Sequence, residues 1–221
     1  MPPQKDIIPL QQAKIKRIQE TVTPYPVHIL GKEILVYPHV FYPATDTELI
    51  IKTIHITSQE TVLDVCAGTG VIGLFAAAYA KKVIATDINP DAIKNIQANI
   101  IQWDITQKMQ AAQTDIFPLT QERFDVIIAN PPYTNHPATN IIEQAFWDQD
   151  HQMVRRFLRD AYKHLTTNGR IYLSWANFAD FTFIEELIHT HHYTIINCAE
   201  QKKEEKIYRV YELRAAHDVS Q

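Results

Sequence analysis

At 221 residues the chain is long enough for one well-cored domain with a short appendage, and its 46% hydrophobic and 21% charged content is that of an ordinary globular protein. A net charge of -4 excludes a global positive field for nucleic acid or anionic membrane, although local basic patches remain open. Cys66 and Cys198 are too few for a disulfide framework, no apolar run spans a bilayer, and Met1 to Lys16 lacks the apolar core of a signal peptide, so the cytoplasm is the expected location.

Residues 1–44 hold seven of the twelve prolines, a short helix over Leu10 to Glu20 and extended pieces such as Ile34 to Tyr37. Their core would be too small for an independent domain, so they read as an arm or lid ahead of a main domain over 45–214, with 215–221 as a tail. From Asp46 the pattern turns regular: a helix over Asp46 to Ile56, a strand over Thr61 to Cys66, a turn over Ala67 to Gly70, and a helix over Val71 to Ala80. Lys82 to Thr86 is a second strand, and Asn89-Pro90-Asp91 starts a helix with proline just inside its beginning, where a missing N–H costs nothing. Strands follow over Ala111 to Thr114 and Phe124 to Ala129. Gln149 to Leu165 reads as a helix closed by Gly169, then come a strand over Arg170 to Trp175 and a helix over Phe181 to His191. Tyr193 to Ala199 and Lys206 to Leu213, joined by the polar stretch Glu200 to Glu205, suggest an antiparallel pair. Apolar strands alternating with helices predict an α/β, mostly parallel sheet covered on both faces.

Gly68-Thr69-Gly70-Val71-Ile72-Gly73 matches G-x-G-x-x-G between a strand and a helix, with Asp87 one strand further on. Alone, the pattern points to a dinucleotide, whose pyrophosphate wants backbone N–H groups and no nearby anion. Asp64, four residues before Gly68, would repel phosphate yet suit a cationic group, such as the ammonium or sulfonium of S-adenosylmethionine. A rival role for Asp64 is a cap on a nearby backbone turn. Asp87 can accept both ribose hydroxyls, or cap the helix around Asn89 and Pro90. Asp115 can accept the adenine amino group, or serve as a turn residue before Phe117-Pro118. The three carboxylates end successive parallel strands and are expected to converge on one crevice.

Asn130-Pro131-Pro132-Tyr133 follows the fourth strand directly. Two prolines fix the backbone and remove two donors, so nearby carbonyls are displayed without local competition. The Asn130 side chain and the Pro131 carbonyl form a pair of acceptors for one –NH2 group, and Tyr133 offers a flat surface for stacking. Planar nitrogens are poor nucleophiles; two acceptors holding both protons orient the nitrogen and favour its lone pair as a bond forms. The competing reading is a rigid turn after a buried strand.

Asp64 to Gly70, Asp87 and Asn130 to Tyr133 resemble the motifs of class I S-adenosylmethionine-dependent methyltransferases, and the tetrapeptide resembles the (D/N/S)-PP-(Y/F/W) signature of their amino-methylating members. Within that class the chain looks most like the HemK-like group, which includes the glutamine methyltransferases of peptide-chain release factors; His28 to Glu33 and Val40 to Leu49 resemble segments preceding the glycine motif there. The general resemblance covers about Tyr37 to Leu213, the closer one stops near Tyr133. It implies a Rossmann-like, doubly wound, mostly parallel seven-stranded sheet with a C-terminal antiparallel hairpin, and S-adenosyl-L-methionine as cofactor. The implied cofactor residues are Thr47, Asp64, Ala67, Gly68, Thr69, Gly70, Asp87, Ile88, Asp115, Ile116 and Asn130; the implied catalytic residues are Asn130, Pro131, Pro132 and Tyr133. The expected acceptor is a planar nitrogen of a protein glutamine, a nucleobase or a small amine. Two departures separate the chain from the release-factor enzymes. A short arm replaces their helical N-terminal domain, and Thr134 to Asp150 lacks their glycine-containing segment, so that substrate does not follow.

No metal site is expected: His189, His191 and His192 lack acidic or cysteine partners. Arg155, Arg156 and Arg159 read as a solvated helix face, with contact to an acidic substrate as a minority option. Trp147 either lines a substrate pocket or anchors a loop. Competing readings of the whole are an NAD(P)-dependent oxidoreductase, opposed by Asp64, and a non-catalytic binding protein, opposed by the intact motif set.

Overall fold

A computed structural model describes residues 4–216; of the tail expected over 215–221, residues 217–221 lie outside the described residues. The elements in chain order are α1 (Gln4–Glu20), β1 (Tyr25–Ile29), β2 (Lys32–Val36), α2 (Thr45–Thr53), β3 (Thr61–Val65), α3 (Val71–Ala77), β4 (Lys82–Asp87), α4 (Pro90–Gln102), β5 (Met109–Gln113) and β6 (Phe124–Ala129). There follow α5 (Gln152–Asp160), β7 (Leu165–Ala176), α6 (Phe181–Thr190), β8 (Tyr193–Lys203) and β9 (Lys206–Ala215). Seven strands form one sheet in the order β5-β4-β3-β6-β7-β9-β8. The first five are parallel, and β9 and β8 close the edge as an antiparallel pair. This is the mostly parallel sheet that the alternation of strands and helices predicts, in the Rossmann-like seven-stranded layout that the resemblance implies.

The strand order reverses between β3 and β6, so the crevice beyond their carboxyl ends is the natural ligand position of such a sheet. Apolar residues on the two faces form separate cores. One gathers Leu63, Ile127, Phe157, Leu173, Trp175 and Ile184; the other gathers Val62, Ile72, Leu74, Val83, Ile96 and Ile128. Residues adjacent in a strand (Val62 and Leu63, Ile127 and Ile128) face opposite sides and both are buried, which explains why the central strands read as continuous apolar runs.

Several boundaries differ from expectation for identifiable reasons. Helix α1 starts at Gln4 and carries Pro9 inside it, near enough to its N-terminus that the lost donor breaks little of the hydrogen-bond ladder. The helix expected over Gln149 to Leu165 is α5 flanked by 3-10 turns at Gln149–His151 and Ala161–His164, with Asp150 and His151 at φ 56° and 53°. Gly169 caps no helix. It lies within β7, where a Cβ would come 2.9 Å from Leu165 Cδ2 and 3.0 Å from the Phe124 carbonyl. The polar stretch Glu200 to Glu205 is mostly strand; only Glu204 and Glu205 turn the chain between β8 and β9.

The β1–β2 hairpin stands outside the main sheet and is clasped by α4. Asn99 accepts from the Leu35 amide at 2.9 Å and donates to the carbonyls of Leu35 and Thr69, each at 3.0 Å. Asn95 accepts from the Tyr37 amide and donates to the Leu35 carbonyl. Both asparagines are fully buried, and these bonds satisfy them there.

Candidate active site

The loop from β3 to α3 turns three times through left-handed backbone, at Cys66, Gly68 and Gly70. At Gly70 (φ 79°) an added Cβ would meet Ile96 at 3.0 Å, so both conformation and space call for glycine. The Gly68 amide donates to Asp87 Oδ2 at 2.8 Å, and the Asn89 amide donates to Oδ1 at 2.9 Å. Each oxygen of Asp87 keeps acceptor capacity for a further hydroxyl. Burial pushes the Asp87 carboxyl above its ordinary range, against the opposing pull of those amides.

A cavity of about 490 Å³ opens over these strand ends. Its wall includes Thr47, Ala67, Gly68, Thr69, Asp87 and Ile88, then Asp115, Ile116 and the corner Asn130, Pro131, Pro132 and Tyr133. Two expected residues are not in that wall, Asp64 and Gly70. Asp64 is fully buried and accepts from the Gly73 amide of α3 at 2.8 Å, so it holds the helix start behind the cavity wall. Its other oxygen has no partner among the described residues, and burial pushes the carboxyl up to about 7 despite the Gly73 amide, with Asp87 adding to the rise. The convergence expected of three carboxylates is therefore a convergence of two. Asp115 is held by Arg156 through two bonds of 2.9 and 2.6 Å, which gives that arginine a partner where a solvated face was expected.

Tyr133 is not a free stacking surface. It is 7% exposed, its ring tilted against Trp175 at 5.4 Å and Phe178 at 6.0 Å. Its hydroxyl enters a polar knot: it donates to Asp46 Oδ2 at 3.0 Å, and lies 2.8 Å from Ser174 Oγ and 2.5 Å from Oδ1 of the Asn130 side-chain amide. Ser174 Oγ also reaches that amide at 2.6 Å and the Ala129 carbonyl at 3.4 Å. Burial, then the neighbouring Asp46, pushes the tyrosine hydroxyl well above its ordinary pKa, so it stays protonated. Asp46 itself accepts from the Thr47 amide at 2.9 Å.

Asp46, Ser174 and Gln11 are the functional neighbours that sequence reasoning did not find. Asp46 directly precedes an expected contact, which was the one available signal; Ser174 lies mid-strand and Gln11 is 123 residues from its partner. Gln11 is buried, donates to Thr134 Oγ1 at 2.8 Å and accepts from Trp147 Nε1 at 2.9 Å. Trp147 lines the cavity and also anchors a loop, here against α1.

The family model of the methyltransferase small domain matches residues 43–212. The chain is similar to the release factor glutamine methyltransferase of Clostridium acetobutylicum, 34% identical over 47% of this chain and 40% of that protein. It is likewise similar to the enzyme of the same name from Borreliella burgdorferi, 28% identical over 66% of this chain and 57% of that one. It thus spans about half the length of the curated relatives it matches. Among solved structures, a tRNA methyltransferase of M. jannaschii superposes with a TM-score of 0.66 at 17% identity, covering 90% of this chain and 59% of that one, a likeness of fold.

Proposed function

Because this chain belongs to the methyltransferase small domain family, we propose that it transfers the methyl group of S-adenosyl-L-methionine to a planar amide or amino nitrogen. The donor set of the cavity fits that cofactor. Asp87 has acceptor capacity left on both carboxylate oxygens for a pair of ribose hydroxyls, and the Gly68–Thr69 turn lets backbone approach closely. Ile88 and Ile116 offer apolar surface for a base, Asp115 an acceptor for its amino group, and Thr47 lines the cavity next to Asp46, the partner of the Tyr133 hydroxyl. When bound, the cofactor supplies an electrophilic methyl carbon on a sulfonium.

The observation that carries the nitrogen assignment is the knot around Asn130. The two hydroxyl protons of Tyr133 and Ser174 cannot serve all five close contacts in it. Amide oxygen and nitrogen have the same shape, and partners decide which is which. The structure sets Asn130 Oδ1 toward both hydroxyls; with the amide turned over, its nitrogen faces Tyr133 and Ser174 and its two protons reach the two hydroxyls. Tyr133 then donates to Asp46, and Ser174 to the Ala129 carbonyl. In that orientation four contacts are satisfied, and the amide oxygen is freed to act with the Pro131 carbonyl in the cavity wall that both residues line. Those two acceptors hold the protons of one –NH2 group, which orients the nitrogen and disfavours delocalisation of its lone pair. No strong general base is required, because the proton leaves after the nitrogen has become cationic.

Residues 1–44 serve in this reading as an arm that walls the acceptor side, residues 45–214 as the catalytic domain, in the cytoplasm. Protein glutamine, a nucleobase amino group and a small planar amine all suit the corner. The test is calorimetric titration with S-adenosylhomocysteine beside NADH, followed by transfer assays on acceptors that pass a binding screen. Binding of the first ligand alone is expected. Asn130→Ala should lower turnover by about 100-fold or more while leaving cofactor affinity nearly intact; retained turnover would remove Asn130 from the reacting centre.

A further inference from the structure

On the acceptor side of the cavity, beyond the Asn130 corner, α1 and the start of β9 bring two ammonium groups to the same wall: Lys14 and Lys206. Both are half-buried. Lys16, Lys52, Lys82, Lys94 and Lys163 each lie within 3.7 Å of a carboxylate on the surface. Among the described residues, neither Lys14 nor Lys206 has such a partner. Asp46 is the acidic group facing Lys14, but its carboxylate is engaged by the Tyr133 hydroxyl and the Thr47 amide. Glu204 and Glu205, on the turn beside Lys206, are exposed.

We propose that the methyl acceptor is a small planar molecule carrying an anionic group, a carboxylate or phosphate, seated between Lys14 and Lys206. This rests on the methyltransferase reading and names the substrate class of the same site. Two like charges held at a partly desolvated wall repel each other, and an anion between them removes that penalty. Lys14 already feels it: burial first, then Lys206, pull its proton affinity below the ordinary value, and Asp46 only partly opposes them. Ile7, Leu10, Phe178 and Tyr208 give the same cavity apolar surface, beside the polar Gln11 and Asp46. A flat body with one charged end matches apolar surface ending in two cations. The size of the cavity, about 490 Å³ shared with the cofactor, suits a small acceptor. The chain's net charge of -4 gives no general reason to attract anions, so a cationic pair confined to this wall is a local feature.

The test uses the full chain saturated with S-adenosylhomocysteine, titrated with benzoate, phenyl phosphate and the neutral benzamide. The anionic probes are expected to bind at least tenfold tighter than benzamide. Lys14→Gln and Lys206→Gln should each weaken them roughly tenfold, the size of a lost charge-assisted hydrogen bond, and leave benzamide unmoved. Lys14→Arg should retain most of the affinity. Preference between benzoate and phenyl phosphate separates carboxylate from phosphate. Equal binding of benzamide and the anions, no binding of either anion, or anion affinity unchanged in both glutamine variants overturns the proposal. Should a variant misfold, added salt applied to the native protein decides instead, since screening must weaken the anions alone. Failure of S-adenosylhomocysteine to bind the native protein strikes the methyltransferase reading, whereas its binding without anion preference strikes only the acceptor class.

Discussion

Single residues in this protein take their roles from what surrounds them more than from their motif. Tyr133 shows this best. Read from its tetrapeptide it is a flat ring for stacking; in the fold its ring is buried and its hydroxyl is the working part, meeting Asp46, Ser174 and Asn130. Tyr133→Phe separates the two roles, because it keeps the ring and deletes the hydroxyl. Transfer should fall about tenfold or more, and stability should drop by about 1–3 kcal/mol, since the buried Asp46 carboxylate loses a donor. Chemical denaturation and single-turnover assays read these effects; a fully active phenylalanine variant would restore the stacking role. Asp64 makes a second case. Its folded pKa of about 7 stands above the unfolded value of 3.8, so the folded state holds the proton more tightly. Its stabilising contribution is complete below the unfolded pKa and is lost as pH rises from about 4 through about 7. Asp64→Asn, which can still accept from the Gly73 amide, should therefore be little different from the native protein near pH 4 and more stable near pH 8. Melting temperatures across that range test the sign, and a difference independent of pH would show that Asp64 ionises normally.

Elements were legible in the sequence where one local rule decides them. The strand-to-helix turn at Gly68 and Gly70 and the start of α4 at Asn89-Pro90 fall where the glycine and capping patterns put them, with the Asn89 side chain accepting from the Asp91 amide at 2.9 Å. They were illegible where a distant partner decides. Gly169 reads as a helix stop, yet it is fixed by the Phe124 carbonyl and Leu165 that crowd it inside a strand. In the same way, Asn95 and Asn99 look like poor residues for a buried helix face, and only the β1–β2 hairpin explains them. Asn99 alone joins three elements, because it bonds Leu35 of the hairpin and Thr69 of the glycine turn from α4. Asn99→Ala should leave the Leu35 amide and the Thr69 carbonyl short of partners, while the Leu35 carbonyl keeps Asn95, and cost about 2–3 kcal/mol. Amide exchange should rise first at Leu35 and its neighbours in β2. Uniform loss of protection across the sheet would instead mean that the hairpin is not a separately held unit.

At the scale of the whole molecule the cavity belongs to two parts of the chain. The strand ends supply Gly68, Asp87, Asp115 and Asn130, all visible beforehand as motif residues at strand ends. The arm supplies Gln11, Lys14 and Phe41, none of them expected, because nothing local in a polar helix says what it covers; Thr47, at the start of α2 just past the arm, was expected. Helix α1 is tied across the acceptor side by Gln11, which bonds Thr134 and Trp147, and by Ile15 and Ile18 packed on Phe146 and Trp147. A ligand filling the cavity must therefore bind the arm and the sheet together. S-adenosylhomocysteine at 100 times its dissociation constant should stabilise the fold by about 2.7 kcal/mol through mass action. Hydrogen exchange then shows where that stabilisation is felt. Protection is expected over residues 66–70 and 87–89 and, in the same titration, over residues 40–47, whose Ala44 amide donates to Thr47 Oγ1 at 3.1 Å in the cavity wall. Protection confined to the strand ends would leave the arm a cover for the acceptor alone, and Thr47 would then have to be removed from the cofactor contacts.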